Sequence, residues 1–560
     1  MGMATNNEAV RSANRVIEGL EAAGVKYIFA VPGGKVDQVY DALSDSNIQL
    51  VLCRHEQNAA FMAAAVGRLT GTPGVCLATS GPGTSNLATG LVTANTEGDP
   101  VVALCGAVPR ADLLKRTHQS MNAEALLTSV TKFAGTVNDP DNVPEVVANA
   151  LRAAATEPRG AAAIVLPNDV MAAPTTKQVT QALPLSELGA APSSAIEQAA
   201  ELIRSARRPV VLVGVRGADP AACAAVRTLL ATADGLPVVE TFQAAGIVSR
   251  ELDEHYLGRV GLFRNQPGDE VLGGADVVVT IGYDPVEYDP QLWNVNSPKL
   301  VHIDALPAQI DNHYHPALEL RGDVATTVEA LAKSLQGLSI QDAYASELAD
   351  KRRALQEIDD MAKRGAHAPT GMNPAHLVLE LREHLDDDAI ICSDVGSNYI
   401  YLCRHFRVWQ PRHLLISNGQ QTLGVGLPWA IAAGLVYPDK QIVSVSGDGG
   451  FLYSSMELDT AVRLGSNFTH VIMRDNSYDM VKFQQVLKFG RDFGCDLGDL
   501  DIVQYAASFG ANGHRVRKPD EFVPALKAAL AEPGPSIVDV MVDYTHNTAL
   551  YSHVIEEAFE

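Results

Sequence analysis

Residues 441–449 read QIVSVSGDG, and residues 470–477 read HVIMRDNS. The runs Gln441–Ser446 and His470–Met473 are short, apolar and rich in β-branched side chains, and turn-forming residues bound them. That is how buried strands of a parallel sheet read. Each run leads to a carboxylate at its carboxyl end: Asp448 in Gly447-Asp448-Gly449, and Asp475 in Asp475-Asn476-Ser477. Parallel open sheets bind ligands beyond those ends. Two carboxylates there, beside glycines that let backbone come close, suit a hard divalent cation holding a diphosphate. Magnesium takes octahedral oxygen coordination; Asp448, Asp475 and the main-chain carbonyl of Ser477 are the protein's candidate donors, with diphosphate and water completing the set. A lone Gly-Asp-Gly is an ordinary turn. The spaced pair is far more specific.

Strand and helix patterns alternate on both sides of this stretch. An amphipathic run Ala9–Ala23 precedes strand candidates Tyr27–Val31, Val51–Cys53, Val75–Thr79, Val101–Leu104 and Ala163–Leu166, with a helix from about Gln57 to Leu69. After a polar, proline-containing stretch come Pro209–Val213, Pro237–Val239, Val277–Ile281 and Leu300–Ile303. A charged segment, Asp342–Lys363, reads as a solvated connecting helix. Such alternation predicts an α/β chain of three doubly wound parallel-sheet domains, residues 8–178, 193–338 and 370–545, with a C-terminal tail at 546–560.

A chain of 560 residues exceeds one hydrophobic core, in keeping with three domains. Its net charge of −23 argues against nucleic acid or an anionic membrane as partner. The seven cysteines are scattered and form no CxxC pair, so neither a zinc site nor a disulfide framework is expected. No run reaches the ~18 apolar residues of a membrane span, and the first residues lack a signal pattern. A cytoplasmic enzyme is the expectation.

Arg54-His55-Glu56 closes one strand and opens a helix. A glutamate there is ordinarily explained by the helix dipole. Together with GDG and its Asp-Asn-Ser partner, however, RHE followed by spaced alanines resembles the signature of the thiamine-diphosphate decarboxylase-type enzymes. That resemblance implies pyrimidine-binding, central and diphosphate-binding domains, with thiamine diphosphate and Mg²⁺ as cofactors. Asp475 stands where the family usually has asparagine, and aspartate still ligates Mg²⁺. Glu56 would hydrogen-bond the aminopyrimidine N1′, so that the 4′-nitrogen removes the thiazolium C2 proton with the advantage of a held base. Ala59, Ala60, Ala63, Ala64 and Ala65 give it apolar surroundings. The family places the two cofactor ends on domains of different chains, implying a homo-oligomer, commonly a dimer of dimers.

The detailed resemblance covers nearly the whole chain and is to the catabolic, flavin-independent acetolactate synthases. It is carried by RHEQNAAFMAAAVGRLTG (54–71), SGPGTSNLATGLVTANTEGDPVVAL (80–104), SNGQQTLGVGLPWAIAAG (417–434), VSVSGDGGFLYSSMELDTAVRL (443–464) and YDMVKFQQ (478–485). These enzymes join two pyruvates: one adds to thiazolium C2 and loses CO₂, and the hydroxyethyl carbanion attacks the second. The product, 2-acetolactate, leads to acetoin and butanediol. The resemblance gives Leu423 the role of the wedge that bends the cofactor and sets Gln119 facing the reacting centre, with His118 beside it. It places Val395, Gly396, Ser397, Gln420 and Gln421 along the cofactor, with Gly447, Gly449, Gly450 and Tyr478 around the diphosphate. Met480 and Val481 would flank thiazolium and substrate. Gln484 stands where flavin-containing biosynthetic relatives have a tryptophan associated with 2-ketobutyrate, which suggests pyruvate as acceptor. Lys35, after the Pro32-Gly33-Gly34 turn, could steer a carboxylate. Residues 281–288 read IGYDPVEY where biosynthetic relatives carry arginines in their flavin region, so FAD is not expected.

Three other readings are weighed against this one: a simple 2-keto acid decarboxylase releasing aldehyde, a flavin-dependent pyruvate oxidase, and a non-catalytic cofactor-binding scaffold. The first usually needs a histidine pair beside the cofactor, and His118 has no adjacent histidine. The last is disfavoured because Glu56, Asp448 and Asp475 are all present.

Overall fold

A computed structural model describes residues 8–113, 115–185, 188–261, 265–365, 371–545 and 547. Three six-stranded parallel sheets organise the chain. The first holds β1 (Tyr27–Ala30), β2 (Gln49–Leu52), β3 (Gly74–Ala78), β4 (Val101–Ala107), β5 (Phe133–Thr136) and β6 (Ala161–Pro167), with α1 (Glu56–Thr70) between β2 and β3. Their spatial order is β2-β1-β3-β4-β6-β5. The central sheet, ordered β9-β8-β7-β10-β11-β12, comprises β7 (Pro209–Val213), β8 (Val238–Glu240), β9 (Tyr256–Arg259), β10 (Val277–Ile281), β11 (Lys299–Asp304) and β12 (Leu318–Arg321).

Two helices follow, α2 (Asp342–Arg364) and α3 (Pro374–His384). The third sheet then builds from β13 (Ile390–Ser393), β14 (Leu414–Leu415), β15 (Ile442–Gly447), β16 (Phe468–Arg474), β17 (Asn512–Val516) and β18 (Pro535–Met541), in the order β14-β13-β15-β16-β18-β17. Helix α4 (Ser397–His405) follows β13, and α5 (Asp479–Phe489) follows β16.

The inner strands are apolar along their length because helices cover both faces of each sheet. Every residue of β4, β6 and β10 is buried. Five of the six edge strands, β5, β9, β12, β14 and β17, were not among the sequence-predicted strands. Some are half-buried, as in Asn-Gly-His-Arg-Val of β17, and others are buried but only two to four residues long, so no long apolar run marks them. The inner strands β13 and β18 also escaped the sequence reading. Conversely, Asp342–Lys363 is the long, charged helix expected, running to Arg364 and stopping at Gly365.

By compactness the chain groups into two units. One comprises Met1–Ser186 with Leu427–Pro438 and Ser454–Ser466; the other comprises Glu187–Gly426, Asp439–Tyr453 and Asn467–Glu560. The first sheet lies in the former, and the central and third sheets share the latter. Among the described residues no helix is long and apolar enough to cross a membrane. The predicted tail, 546–560, lies outside the described residues apart from Asn547, which is buried.

Candidate active site

In the second unit a pocket of about 230 Å³ opens at the carboxyl ends of β13, β15 and β16. Gly396, Gly447, Gly449 and Gly450 line it, together with Asp475, Ser477 and Leu423. Glycine is required here by space. A Cβ at Gly449 would stand 2.5 Å from Tyr478 Cε1, and one at Gly450 would stand 2.5 Å from Asp394 Oδ1. Gly396, at φ +144°, also adopts a backbone conformation that side chains rarely tolerate.

Asp448 and Asp475 face one another where β15 and β16 end. Asp448 accepts hydrogen bonds from the backbone N–H of Asn476 (2.7 Å) and of Gly449 (3.0 Å). Burial, with the neighbouring charge of Asp475, pushes its carboxyl up to about 7. Burial also raises Asp475, whose carboxylate accepts the Ser477 hydroxyl proton. Asn476, at φ +59°, leaves its buried Oδ1 without a partner. Two carboxylates that oppose each other's ionisation, beside an unpaired oxygen, are what a divalent cation relieves. Among the described residues no cluster of three or more His, Cys, Asp or Glu could cage a metal alone. A cation here would therefore take further oxygens from backbone, ligand and water, as Mg²⁺ ordinarily does. The residues present fit that ion.

A second buried carboxyl organises the opposite wall. Asp394, pushed up to about 6 by burial, accepts from the N–H groups of Val395 (2.9 Å), Gly424 (3.0 Å) and Gly426 (2.9 Å). These bonds tie the end of β13 to the 421–426 loop and fix where Leu423 stands. Asp479, at the start of α5, takes hydrogen bonds from Ser397 and Asn547, and burial pushes it up to about 6.

In the first unit Glu56 opens α1 and is 9% exposed. Its Oε2 accepts a hydrogen bond from Asn86 Nδ2 (2.9 Å). Ala59, Ala60, Ala63, Ala64 and Ala65 are all buried, as the sequence led one to expect. The start of α1 is held by Glu457, which is fully buried. Its Oε1 accepts from Arg54 N (3.0 Å), His55 N (3.1 Å) and Asn58 Nδ2 (3.0 Å), and its Oε2 from Thr460 Oγ1 (2.6 Å). Burial raises the Glu457 pKa. Gln119, at φ +58°, packs beside Gly81, where a Cβ would come within 3.3 Å of it; one at Gly83 would lie 3.3 Å from Glu56 Oε1. Glu56, Asn86 and Gln119 thus gather around one short glycine-rich turn.

Comparison with known proteins fits this geometry. Family models for thiamine pyrophosphate enzymes match the chain three times: the N-terminal TPP binding domain at residues 10–126, the central domain at 196–331, and the C-terminal TPP binding domain at 394–540. An acetolactate synthase of Bacillus subtilis (strain 168) is 49% identical over 556 residues, covering 98% of this chain and 96% of the relative. The chain belongs to the thiamine-diphosphate-dependent acetolactate synthases. A catabolic acetolactate synthase of Raoultella terrigena is 44% identical, covering 96% of each chain. Within the same family, the large subunit of acetolactate synthase isozyme 2 of Escherichia coli (strain K12) is 29% identical, again over 96% of each.

Most of the positions taken from the resemblance to this family come together. Val395, Gly396, Ser397, Gln421, Leu423, Gly447, Gly449, Gly450, Asp475, Ser477, Tyr478, Met480, Val481 and Gln484 all line the pocket. Val481 is 49% exposed, so it is not core packing. Gln420 is exposed and outside the lining set, and His118 is exposed as well. Lys35 is half-buried and follows the turn after β1; its carbonyl lies 2.9 Å from where a Cβ on Gly106, in β4, would be. Sequence reasoning missed Asn398, Met473, Asp479 and Tyr544 in the lining and Asp394, which ties its loops together; in the first unit it missed Asn86 and Glu457, which hold Glu56 and the start of α1. Tyr544, near the end of the third domain, reaches the pocket. Glu457 sits inside the quoted run SSMELDTAVRL, but a lone glutamate in a helical pattern gives no signal of its own.

Proposed function

We propose that the protein condenses two pyruvates into 2-acetolactate and CO₂, as a catabolic, flavin-free synthase whose product feeds acetoin and butanediol formation. The observation that carries this is the glycine-floored pocket lined by Asp475, whose charge acts on the buried carboxyl of Asp448 next to it, in a chain 49% identical to an acetolactate synthase over nearly its whole length. When bound, thiamine diphosphate supplies the electron sink that pyruvate decarboxylation needs. Every other part is this chain's own. Asp448, Asp475 and the Ser477 carbonyl hold Mg²⁺, and the glycines let backbone reach the diphosphate. Glu56 keeps a hydrogen bond on the pyrimidine N1′, with Asn86 fixing its carboxylate. Leu423 would be the wedge against the bound cofactor; Val395, Gly396, Ser397, Gln421 and Tyr478 line the pocket that would receive it. Met480, Val481 and Gln484 bound the substrate space and exclude water from it. Gln119 and Lys35 orient the pyruvate carboxyl and carbonyl groups.

Several finer readings belong to this proposal. FAD is not used, and what supports this is the run IGYDPVEY at 281–288, whose acids are engaged within the chain. Arg216 pairs with Asp284 and Asp304. Glu287, pushed up to about 8 by burial, accepts from Val215 N, Thr241 and Asp284 N. Domain boundaries at 8–178, 193–338 and 370–545 agree in outline with the three family matches. A homo-oligomer, dimer of dimers, rests on family membership. Residence in the cytoplasm is supported by seven buried cysteines that form no disulfide.

Stoichiometry tests the reaction. Two pyruvates consumed per CO₂ released supports condensation; one per CO₂ means that an aldehyde is released and the reading fails.

A further inference from the structure

A second cleft, of about 660 Å³, lies in the second unit and shares no lining residue with the cofactor pocket. Residues preceding β9, strand β9 itself, α2, α3 and the last turn of α4 wall it. Seven of its lining side chains are arginine or lysine and four are aspartate or glutamate. That surplus of positive charge stands out on a chain of net charge −23.

Some of these cations are already paired. Arg250 grips Asp387 through two hydrogen bonds, and Arg407 pairs with Asp253 while lying over the rings of Tyr256 and Trp409. Others are not. Arg352, half-buried on α2, makes no ion pair to a described residue, and neither does exposed Lys363 on the same helix.

Deeper in, Arg259 is only 4% exposed. Its Nε bonds Glu240 and its Nη1 bonds the carbonyls of Cys403 and Phe406, but Nη2 has no partner. Glu240 Oε2 is also unpaired, so one hydrogen bond joins the pair where two are usual. Arg382 Nε and Trp409 Nε1 are buried donors without acceptors in the same cleft. Buried donors in native proteins ordinarily find acceptors. Three in one cleft, under a surplus of guanidinium groups, ask for a ligand rich in acceptor oxygens, and arginine matches phosphate and carboxylate oxygens best. The volume lies in the range of small-molecule sites.

We propose that the cleft walled by Arg259, Arg352, Arg382 and Trp409 binds a small organic polyanion, phosphorylated or polycarboxylic. Calorimetric titration of the holoenzyme, saturated with thiamine diphosphate and Mg²⁺, tests this with inorganic phosphate and, separately, succinate, at ionic strength matched by chloride. The expected result is saturable uptake of at least one probe, weakened tenfold or more by Arg352→Glu and by Lys363→Glu. Both residues line the cleft from α2, and circular dichroism reports that the variants are folded. Phosphate alone saturating indicates a phosphorylated ligand; succinate alone indicates a polycarboxylate. Either supports the site. Three results overturn it: no saturable uptake of either probe, wild-type affinity in both variants, or uptake only as thiamine diphosphate is displaced.

Discussion

Glu457 offers a sharp test of how the fold presents Glu56. In Glu457→Ala, three donors lose their acceptor at once: Arg54 N, His55 N and Asn58 Nδ2. Each unsatisfied buried donor costs about 1–3 kcal/mol, and water entering the space recovers part, so a local loss of about 3–5 kcal/mol is expected. Glu457→Gln differs in kind. The Gln oxygen can replace Oε1 toward those three donors. Its NH₂ would then meet Thr460 Oγ1, which can accept it and turn its own proton to the Leu52 carbonyl, 3.2 Å away. No buried charge remains to oppose, so less than about 1 kcal/mol should be lost. Hydrogen exchange read by mass spectrometry across residues 54–60 measures this locally. Protection should fall by a factor of about 100 or more in the alanine variant, at about 1.4 kcal/mol per tenfold change, and by less than about tenfold in glutamine. Pyruvate turnover should fall by at least about tenfold in the alanine variant, because a catalytic group displaced by a fraction of an ångström loses its advantage. Exchange in Glu457→Ala as slow as in the parent, or Gln as damaging as Ala, would refute the reasoning.

Other outcomes follow from the same structure. Glu56→Gln should bind thiamine diphosphate, by quenching of intrinsic fluorescence, yet lose about 100-fold or more in pyruvate turnover; full turnover would remove Glu56 from the mechanism. Adding Mg²⁺ and thiamine diphosphate at about 100 times their dissociation constants should stabilise the parent by about 2.7 kcal/mol. Asp448→Ala should abolish that thermal shift, and a retained shift would place the cation elsewhere. Gly449→Ala puts a methyl 2.5 Å from Tyr478 Cε1, so the ring must move and cofactor affinity should fall about tenfold or more. Gln484→Trp should raise the share of product formed from 2-ketobutyrate when both acids compete; an unchanged ratio would show that the position does not set acceptor choice.

Much of the fold could be read from the chain because inner strands of parallel sheets are buried on both faces and therefore read as apolar runs. Val277–Ile281 and Pro209–Val213 match the structure residue for residue. Edge strands such as Tyr256–Arg259 carry mixed, locally unremarkable sequence and form only because a neighbouring strand offers a partner. The site divides in the same way. Asp448, Asp475 and the glycines show in sequence because backbone approach and metal ligation restrict residue type. Asp394 and Glu457 act by accepting backbone N–H groups from segments far away in the chain, and such bonds leave no local pattern. The pairing of Asp479 with Ser397 and Asn547 is equally a product of folding, since those residues lie on three separate segments.

The central claim is tested most directly by incubating the purified protein with pyruvate, Mg²⁺ and thiamine diphosphate, without added flavin, and assaying acetoin before and after acid treatment. The account predicts acetoin only after the acid step, and none when thiamine diphosphate is omitted. Acetaldehyde in its place, or no consumption of pyruvate, would contradict it.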